Sequence, residues 1–504
     1  MEQLQFLMSG FQTTLSMYHI ALMMGGVLLG ILVGVLPGLG APNGVTLLLP
    51  LTFTMEPVSA IILLSSMYWG ALFGGSTTSI LFNIPGEPSS VATTFDGYPM
   101  ARNGRAAEAL ATAFLSAGFG AMAGVIVVTL IANAIADFAL KFGPAEFFAV
   151  YLLTFCSYLV SGGSPLKTLA SLCIGLILAA VGMDTVSGEV RLTFGSDTLI
   201  GGVSFLAAVV GLFGIGELLV TVEEGLRFEG LHARVSWKVV WQSARNLPRH
   251  ATTLIRSTLV GCWMGITPGG PTAASFMSYG LAKRFSKFRA GFGKGEPDGV
   301  VAPEAADHSA GVSALLPMLA LGVPGSATAA VMMGGLMIWG LQPGPMLFIE
   351  KPDFVWGLIS SMYVANIVAV VLVLATIPLF SSILRLPFAV IGPLIIVICL
   401  IGAFTISGKM SDVYIALAFG VVGYVFKKLD YPIAPLILAM VLGDKTEDAF
   451  RQSMLLSEGS MSVFFSNGLV GTIFTAAIAL MLWGLLGRMF KKRSPTTAAT
   501  QTNT

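Results

Sequence analysis

The chain has 504 residues, of which 55% are hydrophobic and only 11% charged, against a roughly half apolar, quarter charged balance in soluble domains. Long apolar stretches recur almost from end to end, which excludes a string of soluble domains and predicts an all-α polytopic membrane protein. The net charge of +1 argues against nucleic acid as a partner, and Cys156, Cys173, Cys262 and Cys399 stand singly in apolar segments, fitting neither a disulfide framework nor a metal site.

Met1 to Gln5 carries no basic residue, and the first apolar stretch runs into glycine-rich segments rather than a cleavage site, so no signal peptide is expected. A re-entrant hairpin is predicted over 18–57. Crossings follow near 58–100, with a break at 85–88, and near 109–136, 146–163, 168–183 and 198–220. These make a first repeat over 1–222, followed by a linker over 223–256. A second repeat over 257–490 holds a hairpin at 257–282 and crossings near 303–348, broken at 322–327, then near 354–380, 386–406, 411–426, 431–443 and 461–487. About eleven crossings result, with a tail over 491–504.

Charge orients them. The basic region from Arg227 to Arg256, the group Lys283, Arg284, Lys287, Arg289 and Lys294, and the terminal Arg488, Lys491, Lys492 and Arg493 are expected in the cytoplasm. The segment before the first span lacks Lys and Arg and is expected outside, as is the acidic loop from Asp184 to Asp197. Lys141, Lys167 and Lys409 read as interfacial.

The chain also matches itself. Gly30, Gly34, Pro37, Gly38 and Gly40 recur as Gly261, Gly265, Pro268, Gly269 and Pro271. Asn83, Ile84, Pro85, Gly86, Glu87 and Pro88 recur as Gly322, Val323, Pro324, Gly325, Ser326 and Ala327. Leu51 to Pro57 after the first block has no basic residue, whereas its counterpart from Lys283 to Lys294 has five, so the halves are read as inverted. Proline lacks an amide donor and disfavours helix in the residue before it. Breaks are therefore predicted around Pro37, Pro85, Pro268 and Pro324. Non-helical backbone at membrane depth must be buried in protein or line a cavity, and inverted repeats with broken helices are a recurring plan of secondary transporters.

The upstream glycines, Gly26, Gly30, Gly34, Gly261 and Gly265, share helical faces and read as close packing. Polar residues crowd the breaks. Substrate contacts are expected from Asn43, Thr46, Ser76, Thr77, Thr78, Asn83, Gly86, Ser89, Gly270, Thr272, Ser275, Ser326 and Thr328, because half-helix ends and hydroxyls can hold a carboxylate. Taken singly, each Ser or Thr serves its own helical turn; their concentration is the signal. Carbonyls freed at Gly38, Gly40, Gly269 and Gly325, together with Asp307 and His308, are expected to take a cation, Na+. A loop-exposed Asp307–His308 pair is the alternative, and for Glu87 and Glu304 helix capping is the alternative to function.

With these blocks in view the chain resembles the large membrane subunit of the tripartite tricarboxylate transporters. The likeness rests on 34–50 (GVLPGLGAPNGVTLLLP), 70–90, 265–287 with PGGPTAAS at 268–275, and 302–345 with PGS at 324–326 and PGP at 343–345. It covers the chain to about residue 490. The resemblance implies a bacterial inner-membrane permease working with a small membrane subunit and a periplasmic solute-binding protein. It also implies organic carboxylate substrates and an ion gradient, usually sodium. Where an Asn pair is associated with that family after the APE segment, this chain has Asp307 and His308, which leaves a proton as the alternative coupling ion. No cofactor is expected beyond Na+ or H+. Alternating access by an elevator-like movement and a homodimeric scaffold are expected. An intramembrane enzyme is disfavoured, since no zinc-ligating His pair stands at helical spacing, His308 is the one histidine near a break, and Asp430 and Asp444, an imaginable aspartyl dyad, fall at predicted membrane edges; a passive channel is a further alternative.

Overall fold

A computed structural model of the protein describes residues 2–36, 39–161, 164–184, 187–224, 236–267, 270–383 and 388–490. Pro37, Gly38, Pro268 and Gly269, the part of the linker at 225–235 and the tail at 491–504 lie outside the described residues.

The first half runs through α1 (Glu2–Thr14), α2 (Met17–Val35), α3 (Ala41–Leu48), α4 (Pro57–Phe82), α5 (Val91–Met100), α6 (Ala106–Ala139), α7 (Pro144–Ser161), α8 (Pro165–Ala179), α9 (Phe205–Val209) and α10 (Gly216–Glu224). The Ser16 hydroxyl starts α2 by accepting the His19 amide. The helix stops at Leu36, which is extended as the residue before a proline tends to be (φ −83°, ψ 108°). Pro42 falls in the first turn of α3, where its missing donor costs nothing. A linking helix α11 (Trp237–Asn246) leads to α12 (Ala251–Ile266), α13 (Gly270–Phe285), α14 (Asp298–Ser313), α15 (Leu315–Leu321) and α16 (Ala327–Ile338). The rest is α17 (Met346–Glu350), α18 (Pro352–Ile383), α19 (Phe388–Ser407), α20 (Met410–Lys428), α21 (Ile433–Leu456) and α22 (Gly468–Phe490).

Both blocks fold by one local plan: helix, break, a second helix of eight residues in the first block and 16 in the second, then a central helix that breaks in turn. The central helix of the first half ends at Asn83 (φ 58°) and that of the second at Gly322 (φ 65°), equivalent positions in the same left-handed conformation. Gly can take it without strain and Asn tolerates it. Packing repeats too, α2 against α4 and α12 against α14. A Cβ on Gly30 or Gly34 would overlap backbone of Met67 or Ala71, and one on Gly261 or Gly265 would overlap that of Ala306 or Ala310. These glycines bring helix backbones into contact, as small residues do in membranes.

Seven helical segments among the described residues are long and apolar enough to cross a membrane, and four shorter apolar helices accompany them. The chain is an all-α polytopic membrane protein. Details differ from the expectations. The segment over 18–57, expected as a re-entrant hairpin, is two unequal helices: α2 has 19 residues, about 28 Å at 1.5 Å per residue, and is one of the seven long apolar segments, while α3 has eight. The crossing expected over 58–100 is two helices, and after α5 the chain bends at Asn103 and Gly104 before α6. The segment expected over 431–443 extends as α21 to Leu456. The acidic loop carries a two-residue ribbon, β1 (Gly182–Met183) antiparallel to β2 (Val190–Arg191), the one sheet among the described residues.

The core lies around α4 and α14. Nearly all of α4 and every residue of α14 are buried, so these two helices have no polar face to show and are enclosed by the others.

Candidate functional site

One cavity of about 880 Å³ is lined by residues beside each of the four breaks. Its near wall is built from Gly40, Pro42 and Asn43 of the first hairpin, 85–88 of the first broken helix, 270–273 of the second hairpin and 325–327 of the second broken helix. Four helical segments begin there: α3, the turn leading into α5, α13 and α16. Helix starts present unsatisfied amides and the positive end of the peptide dipole, so this wall suits an anion.

Buried polar bonds tie the near wall into one body. The Glu87 carboxylate accepts the Ala41 amide across the two first-half breaks. Glu304 of α14 accepts the Ser76 hydroxyl at 2.8 Å and the Thr93 hydroxyl at 2.5 Å, joining α4, α5 and α14. Asp96 of α5 accepts three amides of the loop before α14, from Gly293 (2.8 Å), Gly295 (3.0 Å) and Glu296 (2.9 Å), and the Tyr279 hydroxyl of α13 (2.9 Å).

The expected site residues divide. Gly40, Asn43, Gly86, Gly270, Thr272, Gly325 and Ser326 line the cavity; Ser326 also caps α16 by accepting the Ala329 amide. Thr46, Thr77 and Thr78 do not line it, since each hydroxyl donates to its own helix, to the carbonyls of Pro42, Phe73 and Gly75. Ser76 is turned to Glu304. Asn83 serves the left-handed helix end. Ser89, Ser275 and Thr328 are buried away from the cavity wall because their helix faces pack on neighbouring helices. Gly38 and Gly269 lie outside the described residues.

Asp307 and His308 are not on a loop. Both are buried inside α14, His308 Nδ1 lying 3.2 Å from the Glu304 carbonyl oxygen, 3.9 Å from Asp307 Oδ2 and 4.0 Å from Glu304 Oε2. The imidazole ring stands 4.3 Å from that of Phe73 in α4. They sit behind the near wall rather than on it. Two carboxylates and an imidazole enclosed together can share a proton or supply oxygens to a hard cation.

The far wall holds residues for which the sequence raised no expectation. It is formed by Tyr158 of α7, Thr168 of α8, Phe213 and Glu217, Lys427 at the end of α20, and 431–435 leading into α21. Lys427 pairs with Glu217. The sequence signal was present: Glu217 stands inside an apolar run and Lys427 closes one, and an ionisable group in a span invites a partner. Beside Lys428, however, Lys427 reads as an ordinary basic flank.

The sequence model of a family described as the "Tripartite tricarboxylate transporter TctA family" matches residues 20–438. An Agrobacterium vitis protein described as an "Uncharacterized 52.8 kDa protein in TAR-I ttuC' 3'region" is 38% identical over 496 residues, covering 98% of both chains. A second from the same organism, an "Uncharacterized protein in TAR-II ttuC' 3'region", is 34% identical over 234 residues, 46% of this chain and 97% of its own. No solved structure matches the chain.

Proposed function

Because the chain belongs to the tripartite tricarboxylate transporter TctA family, we propose that it is the large permease of such a system and imports an organic carboxylate across a bacterial inner membrane. Transporters of this kind work with a small membrane subunit and a binding protein, and these are the partners proposed here, together with a second copy of the chain. The cavity carries the reading: four helix starts from both halves border one space sized for a small organic anion.

In this reading the carboxylate lies against the amides and the hydroxyl and amide side chains of Asn43, Thr272 and Ser326. Asp307 and His308 answer to the coupling cation, sodium in first place and the proton as the alternative. The near wall, locked by Glu87, Asp96 and Glu304, moves as a body past a scaffold of α7 to α10 and α19 to α22, which gives alternating access. In the same reading the basic regions lie in the cytoplasm, with the C-terminus inside and the N-terminus outside.

The test is uptake of radiolabelled citrate and succinate into proteoliposomes holding both membrane subunits, with the binding protein added and sodium and proton gradients imposed separately. Accumulation should follow the sodium gradient. Accumulation on the proton gradient alone would establish the alternative ion, and uptake indifferent to both gradients would make the protein a passive channel.

A further inference from the structure

The two walls of the cavity differ in charge. On the near wall the charged side chain is Glu87, and its carboxylate is engaged by the Ala41 amide. The cavity is also lined by Lys427, the one basic residue to do so among the described residues, paired with Glu217, which lines it as well. A clamp between α10 and α20 does not require this pair. Outside the cavity lining, Lys428 binds Glu223 at 2.7 Å and the Tyr424 hydroxyl donates to the same carboxylate at 2.7 Å. Lys427 and Glu217 instead place a matched pair of charges where a ligand would lie.

We propose that Lys427 is a specificity-determining residue that takes one carboxylate of a di- or tricarboxylate substrate, with Glu217 as the internal carboxylate that neutralises it in the empty cavity. This rests on the reading of the cavity as the carboxylate site. The near wall holds one end of the substrate at the helix starts, and Lys427 holds a second carboxylate at the other. An ammonium on a flexible four-carbon stem can turn from Glu217 to the ligand without backbone movement. Exchanging one carboxylate for another keeps a counter-charge beside Lys427 throughout; the cost falls on Glu217, which gives up its partner while facing the cavity it lines, and this is why it competes with the ligand. A monocarboxylate has no second group to offer and gains nothing from Lys427.

Binding of acetate, succinate and citrate to the purified full-length chain by titration calorimetry tests this. The wild type should bind succinate or citrate more tightly than acetate. Lys427→Gln should weaken the tighter of the two at least tenfold and leave acetate unchanged, while Glu217→Gln, which removes the competitor, should tighten it severalfold. Equal weakening by both substitutions would overturn the proposal, because a pair that merely joins helices loses the same bond from either side. If Lys427→Gln does not fold, the sign of the Glu217→Gln effect decides alone: tighter binding supports exchange, weaker binding overturns it. A wild type that binds none of the three probes would overturn the carboxylate site itself, and this inference with it.

Discussion

The carboxylate of Glu87, in the break after α4, accepts the backbone amide of Ala41 at the start of α3. A Cβ on Gly40 would come within 2.9 Å of Glu87 Oε2, and one on Gly75 within 2.9 Å of Glu87 Cγ, so the side chain occupies a slot cut by two glycines. It is a helix-starting acceptor borrowed from a remote segment. Glu87→Ala leaves the Ala41 amide without it, at a cost of about 1–3 kcal/mol, whereas Glu87→Gln keeps an acceptor and should lose less than half as much. Thermal unfolding of the purified variants would reveal it, and an Ala variant as stable as the wild type would show the bond to be immaterial.

Glycine substitutions should fall into two groups. Gly34→Ala and Gly265→Ala drive a methyl into backbone of α4 and α14 and should destabilise by about 1–3 kcal/mol or more. Gly25→Ala and Gly280→Ala, where nothing lies within 4 Å, should be neutral or slightly stabilising. Fluorescence-detected size-exclusion after graded heating compares all four, and indistinguishable profiles would refute direct backbone contact.

Asp96 should govern the loop before α14. Asp96→Ala removes the acceptor of three amides and one hydroxyl, costing about 3 kcal/mol, while Tyr279→Phe removes one bond, about 1 kcal/mol. Limited trypsinolysis of inside-out vesicles should cut at Arg289 and Lys294 faster in the Ala variant than in the Phe variant, and slowest in the wild type. Equal rates in all three would show that Asp96 does not hold the loop.

Asp307→Asn should raise the sodium concentration for half-maximal uptake more than it weakens substrate recognition, since the pair is buried and does not line the cavity proposed for the substrate. If protons are coupled, sodium has little effect in either form, and the pH dependence of uptake flattens in His308→Asn. Variants that match the wild type under both gradients would move the cation to the carbonyls at the breaks.

Single-cysteine labelling with a membrane-impermeant reagent, in a chain whose native cysteines are replaced, checks the inversion. Leu51→Cys should react from outside and Lys287→Cys should not; both positions are exposed. Labelling of both from one side would contradict inverted halves.

Fold and site were legible in the sequence where a single residue's backbone chemistry decides the outcome. Helices end just before Pro37, Pro85 and Pro324, where glycines stand beside the proline, whereas Pro99 and Pro303 are carried inside α5 and α14; Gly322 takes a conformation closed to most side chains. Helix ends beside Pro37, Pro85 and Pro324, the helix-facing glycines and the repeated block were therefore readable from the chain alone. Which groups meet was decided by tertiary structure. Thr46, Thr77 and Thr78 had the right composition beside the breaks, yet helix rotation turned their hydroxyls onto their own carbonyls. Asp307 and His308 went into the core because α14 is enclosed on every side, which leaves no periodicity to read. Lys427 faces Glu217 because α20 packs beside the segment that leads into α10. Charges so far apart in sequence carry no local mark of their pairing, since it depends on how distant helices settle against one another.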